Sequence, residues 1–140
     1  MAATTDPLHD TILDLEDQTW KALQRTGAAL IPFLSKDCQM LFPMGVRVTA
    51  TSTPNLKEVM TSEAFVPWVS YDMHEVLVTE LGPDTALITY KVQALRPQVG
   101  APDDGQPFKA LIASVWRRSP GADWLMVLHQ QTPYSELVEE

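Results

Sequence analysis

From position 85 onward, apolar residues fall on alternate positions. Between Thr85 and Leu95 the even positions are Ala86, Ile88, Tyr90, Val92 and Ala94, while Leu87, Thr89, Lys91, Gln93 and Leu95 make a mixed odd set. Phe108, Ala110, Ile112, Ser114 and Trp116 repeat the pattern, as do Trp124, Met126, Leu128 and Gln130. Side chains alternate across a strand, so each even set predicts one aligned face, here the inward one. The turn chemistry of Ser119-Pro-Gly-Ala-Asp123 joins the last two runs into a long hairpin. Its opposite faces, with Leu111, Ala113, Val115, Leu125 and Val127, are also apolar, which predicts a sheet covered on both sides. Tyr71–Leu81 reads as a further strand ending at the Gly82-Pro83-Asp84 turn. The segment from Arg96 to Pro107, rich in Pro, Gly and Asp, reads as an exposed loop.

The period changes towards the N-terminus. Leu8, Ile12, Leu15, Thr19, Ala22 and Leu23 recur at three- and four-residue steps and predict a helix from Leu8 to about Thr26. Asp6-Pro7 supplies the cap and the proline of its first turn, and Gly27 stops it. Glu16 and Trp20 fall at the margin of the apolar stripe. Ala28–Leu34 predicts one or two helical turns. Cys38–Phe42 and Val46–Thr49 predict a small hairpin around Pro43-Met44-Gly45, and Thr53-Pro54-Asn55 opens a second helix from Leu56 to about Glu63. Helices followed by a run of long antiparallel strands make an α+β protein with its helices on one face of the sheet.

The 140 residues suit one domain spanning 1–140, with its core at about 8–134 and an acidic tail over 135–140. A net charge of −8 argues against a nucleic-acid partner. The chain has neither an 18-residue apolar run nor a basic-then-apolar leader, so no membrane partner is expected. The lone cysteine, Cys38, suits a reducing compartment, and the reading is a cytoplasmic protein. Three widely separated histidines and no Cys-x-x-Cys give no support for a metal site, and no cofactor is expected.

Several short stretches carry a resemblance. These are Trp20-Lys-Ala-Leu23, the Lys36-Asp37-Cys38 step into Met40-Leu-Phe-Pro-Met-Gly45, Val115-Trp-Arg-Arg118 and Trp124-Leu-Met-Val127. Together they resemble the nuclear transport factor 2-like superfamily, in its branch of SnoaL-like polyketide cyclases and ketosteroid isomerase. The resemblance implies a cone-shaped α+β barrel in which a strongly curved antiparallel sheet wraps around N-terminal helices. It also implies an apolar pocket at the wide end and a homodimer formed through the outer sheet face. The reaction it implies is isomerase- or cyclase-type proton transfer on a polyketide- or terpenoid-like substrate. The alternative is a non-catalytic ligand-binding or dimeric assembly module of the same fold.

Proton transfer needs a base beside the carbon acid, with its pKa tuned by an apolar wall. None of the inward positions of the long strands ionises near neutral pH. The base must then come from the helices, the small hairpin or the rim, where Glu16, Asp17, Asp37, Asp72, His74 and Glu75 are available. Asp37 is expected to end a turn before the strand, which leaves Glu16 on the first helix and His129 as the catalytic candidates. Strict alternation puts His129 opposite Gln130 and hence on the outer face, unless a bulge reverses the parity. Relatives in the resembled family often carry a histidine at the place assigned to Gln130. The expected ligand is a small hydrophobic molecule. Its pocket is expected to be lined by Met40, Phe42, Met44, Phe65, Trp68 and Met126, with polar groups from Trp20, Tyr90, Ser114, Trp116 and Gln130.

Overall fold

The computed structural model describes residues 7–63, 65–96 and 106–135. The expected Asp6 cap, most of the loop after Arg96 and most of the acidic tail lie outside these residues. Helix α1 is Pro7–Leu23, with Ile12, Glu16, Thr19, Trp20 and Ala22 buried. A 3-10 segment, Ala28–Phe33, leads into strand β1, Leu34–Phe42. A tight turn at Pro43–Gly45 joins β1 to the short β2, Val46–Val48. Helix α2, Leu56–Met60, starts at a full capping box: the Asn55 side chain accepts from the Glu58 amide and Glu58 accepts from the Asn55 amide. It ends three residues short of the expected Glu63. Four long strands follow: β3 (Ser70–Gly82), β4 (Thr85–Arg96), β5 (Gln106–Arg117) and β6 (Leu125–Pro133).

The six strands form one sheet in the order β2-β1-β6-β5-β4-β3. All neighbours are antiparallel except β1 and β6, which run parallel, so the sheet is mixed where a wholly antiparallel one was expected. It is also open, because β2 and β3 are its two edges. Helix α1 lies on the inner face. There it meets the even positions of β4 and β5: Ala86, Ile88, Tyr90, Val92, Ala94, Ala110, Ile112, Ser114 and Trp116 are all buried. The strand periodicity was therefore a faithful guide in these two strands.

It fails in β6. Val115 pairs with Leu128 but Trp116 pairs with Met126, so Val127 is an extra residue, a β-bulge. Met126 and His129 consequently both face inwards and are buried, whereas Gln130 is exposed. Leu128 pairs with outward-facing Val115 and Gln130 with outward-facing Ala113, so the inward placement of both residues is corrected.

Gly27 also has a different role from the expected one. Its φ of −64° is ordinary helical backbone, and helix α1 has already ended at Leu23. What requires a glycine is proximity: a Cβ built there would lie 2.3 Å from the carbonyl oxygen of Met60. The chain crosses itself at this point, setting the 3-10 segment against the end of α2. Gly27→Ala is expected to lower stability by about 1–3 kcal/mol, the usual range for overpacking a close contact, read as a lower urea midpoint with an unchanged m-value.

Candidate functional site

The centre of the molecule is a carboxylate. Glu16 has no exposed surface, and three side-chain donors reach it. Tyr90 Oη donates to Oε2 at 2.6 Å, Ser114 Oγ is 2.7 Å from the same oxygen, and Trp116 Nε1 donates to Oε1 at 2.9 Å. Tyr90 in turn accepts from Trp20 Nε1 at 2.7 Å. Glu16 and Trp20 are four residues apart on α1 and so share one helical face. Tyr90, Ser114 and Trp116 all stand on inward positions of β4 and β5. Period 3.6 meets period 2 at this point, and the polar side chains of both elements are satisfied by each other.

His129 extends the group. Its Nδ1 is 2.9 Å from Ser114 Oγ and 3.8 Å from Glu16 Oε2, so the serine stands between ring and carboxylate. Its Nε2 is 3.2 Å from the side-chain nitrogen of Gln131. Both residues line a cavity of about 350 Å³. The cavity is bounded by Trp20 and Leu23 from α1, Met40 and Phe42 from β1, Met60, the 65–68 segment and Met126. Its lining is largely apolar, with a few polar groups converging on it. Arg96 is the one Lys or Arg among the described lining residues, its guanidinium 4.7 Å from the Trp68 ring and 5.4 Å from that of Phe108. Trp20 meets Trp68 edge-on at 5.5 Å, which fixes the aromatic wall.

The expected site residues divide into three groups. Trp20, Met40, Phe42, Phe65, Trp68 and Met126 line the cavity. Tyr90, Ser114 and Trp116 do not; they sit behind its wall, holding Glu16. Met44 and Gln130 are corrected. Met44, with φ of 70° in the turn after β1, is 96% exposed, and the bulge turns Gln130 to the outer face. Gln131 and Arg96 were missed, the first because the parity was off by one and the second because it was read as the start of the exposed loop, whereas it ends the inward face of β4. Asp37, expected at the turn before β1, lies within that strand and accepts from Ser35 and Arg117. Cys38 is buried, and desolvation pushes its thiol up to about 12, so it is an inert core residue. Among the described residues, no group of three or more His, Cys, Asp or Glu could hold a metal, and no helix is long and apolar enough to cross a membrane.

Burial governs the electrostatics. Desolvation raises the Glu16 pKa above the ordinary 4.5, and the hydrogen bonds from Tyr90, Ser114 and Trp116 work against it. Desolvation lowers His129 from 6.5 to about 4. Burial also raises the Tyr90 phenol well above 10, and the neighbouring Glu16 adds to the rise. Between the two titrating groups, the interior favours an uncharged ring and works against the carboxylate's charge.

Solved structures with this fold include an NTF2-like protein from Cytophaga hutchinsonii, at 17% identity and a TM-score of 0.71, covering 89% of this chain and 97% of that one. A ketosteroid isomerase-like protein from Erwinia carotovora atroseptica matches at 16% identity and 0.68, covering 89% and 95%. The association domain of the C. elegans kinase CaMKII matches at 12% and 0.67, covering 88% and 93%. No protein-family model and no curated protein matches the sequence. The chain therefore has the NTF2-like cone fold, as the resemblance of its short motifs implied, in an open form.

Two stability effects follow. His129 has a folded pKa below its unfolded one, so its contribution is fully present above about pH 6.5 and is lost as pH falls towards 4. Glu16 acts in the opposite sense: its contribution is present below 4.5 and declines as pH rises towards its folded value. In urea titrations from pH 7 to pH 4, His129→Gln is expected to remove up to about 3 kcal/mol of the wild-type loss. Glu16→Gln sets an amide NH2 against at least one of its three donors. It should cost about 1–3 kcal/mol at pH 7, the penalty of one orphaned buried donor.

Proposed function

We propose that this protein binds a small hydrophobic molecule in the 350 Å³ cavity and moves a proton on it, with His129 as the base. The observation that carries this reading is the position of His129. Its ring lies in the cavity wall, and its Nδ1 is tied through Ser114 to a buried carboxylate. A neutral imidazole with one nitrogen anchored offers the other as acceptor, which is the state a general base requires. The apolar wall suits a flat, greasy substrate of polyketide or terpenoid type, and Met40, Met60 and Met126 allow it to adapt to shape. Proton abstraction beside a carbonyl, with return of the proton at another carbon, is the reaction class this arrangement serves. The ketosteroid isomerase-like neighbour supports the reading through its fold.

A second reading, self-association through the outer sheet face, has its own support. Leu77 is 62% exposed and Leu111 49%, and on β4 and β5 the half-buried Leu87, Thr89, Ala113 and Val115 extend the same side. Kinase association domains share the fold. Pocket and assembly are compatible, because they use opposite faces of the sheet.

The test is a panel of cyclic β,γ-unsaturated ketones, followed by the rise in ultraviolet absorbance as the double bond moves into conjugation. Conversion by the wild type, reduced about 10²- to 10⁴-fold in His129→Ala with ketone binding retained, supports a base at His129. Binding with equal conversion in wild type and variant would remove His129 from the chemistry. Native mass spectrometry reads the second proposal: a wild-type dimer and a Leu111→Lys monomer are expected, whereas a wild-type monomer would overturn it.

A further inference from the structure

We infer that Ser114 is a proton relay, through which a proton taken up at His129 Nε2 is matched by one delivered to Glu16 Oε2. The inference rests on the reading of His129 as the base and adds the pathway behind it. It follows from counting donors and acceptors in a cluster where, among the described residues, no buried polar side-chain atom lacks a partner.

Trp116 Nε1 can only donate, and it points at Glu16 Oε1. Trp20 Nε1 can only donate, and it points at Tyr90 Oη, so the phenol proton is directed at Glu16 Oε2. These two directions are fixed. Ser114 is the only member free to reverse, since a hydroxyl donates once and accepts on the same atom. With Glu16 ionised, Ser114 donates to Oε2 and accepts from His129 Nδ1–H. Nε2 then presents a lone pair towards Gln131 and the cavity. With Glu16 protonated, the carboxyl proton has one usable acceptor, Ser114 Oγ. The serine then donates to Nδ1, and the ring proton must sit on Nε2. Rotation of the Gln131 amide satisfies Nε2 in either state.

The two states differ by one proton, and neither contains an imidazolium. In the forward step a substrate C–H bond breaks and Nε2–H forms, while the electron pair stays on the substrate as an enolate. The Nδ1–H bond breaks as Ser114 Oγ gains that proton, and the serine's own proton forms the bond to Glu16 Oε2. Reversal returns the proton to a different carbon, so atoms and charge balance with no co-reactant. Such a route suits a ring whose burial holds the imidazolium pKa down to about 4. The other ionisable groups near the cluster do not compete. From β4 and β3 come Tyr90 and Tyr71, both with raised pKa values, and from β1 comes Cys38, raised to about 12. On α1, Asp17 faces Tyr71 and Lys21; on β1, Asp37 is tied to Arg117 at the surface; Arg96 stands at the cavity lining.

The test needs no substrate. Nitrogen-15 spectra of the histidine rings are recorded on the whole protein between pH 5 and 9, with His129 assigned by its absence from His129→Gln. The expected result is an exchange of tautomer, Nε2–H at the acid end and Nδ1–H at the alkaline end. Its midpoint should lie above the ordinary glutamate value, with no imidazolium signature. Ser114→Ala, shown to be folded by its circular dichroism and thermal transition, is expected to abolish the exchange. Ser114→Thr, which keeps the hydroxyl, is expected to retain it. A ring that holds one tautomer across the range, that titrates to imidazolium, or that still exchanges in Ser114→Ala would overturn the relay. Those results would leave the ketone assay at His129 free to succeed or fail on its own.

Discussion

A carboxylate removed from water is among the most expensive groups a fold can contain, and the rest of this structure is arranged around one. Glu16 is fully enclosed, and each partner it finds comes from a strand formed about seventy or more residues later in the chain. Removing any one donor leaves charge or acceptor capacity unmet in a low-dielectric interior, which is where hydrogen bonds matter most. The same bonds fix helix α1 against the sheet in one register. An apolar stripe alone would tolerate sliding by a turn, but three donors on two strands do not. Trp20, one turn along the helix, is held through Tyr90 by the same logic, and its ring continues into the aromatic wall formed with Trp68. Structural specificity and the candidate chemistry thus share the same atoms.

The second controlling feature is a single extra residue in β6. Without Val127 as a bulge, Leu128 and Gln130 would point inwards and His129 would face out. The cavity would then hold an amide in place of an imidazole, and Ser114 would face no ring nitrogen. One inserted residue converts a neutral wall into one that can exchange protons, with little effect on the hydrogen-bonded ladder on either side.

The fold was largely legible because β4 and β5 keep strict alternation over their whole length, and Leu8–Leu23 keeps a helical stripe. Of the residues expected at the pocket, Trp20, Met40, Phe42, Phe65, Trp68 and Met126 line the cavity, and most of them come from outside β4, β5 and the helical stripe. Glu16 was visible only as a carboxylate at the stripe's margin. A charged residue there is ordinarily solvated, and nothing local in the sequence distinguishes one that three distant donors will claim. The parity of His129 was not legible, because a bulge has no compulsory residue type: Val127 looks like any other strand residue. The parallel pairing of β1 with β6 was equally hidden, since residues that pair across most of the chain leave no periodic mark.

That pairing has a consequence for how the molecule comes into being. Helix α1 and β1 are made well before β6, yet β1 acquires its parallel neighbour, at Met40 opposite His129, only when β6 has emerged. Until then Glu16 has no Tyr90, Ser114 or Trp116 to meet it and must remain hydrated. Helix α1 and β1 thus take their polar and ladder partners from strands much later in the chain. Long-range contacts of this kind slow folding and leave strand edges open in the meantime. The chain's many acidic residues, 18 against 10 basic ones, give it a net repulsion that opposes association before the sheet is complete.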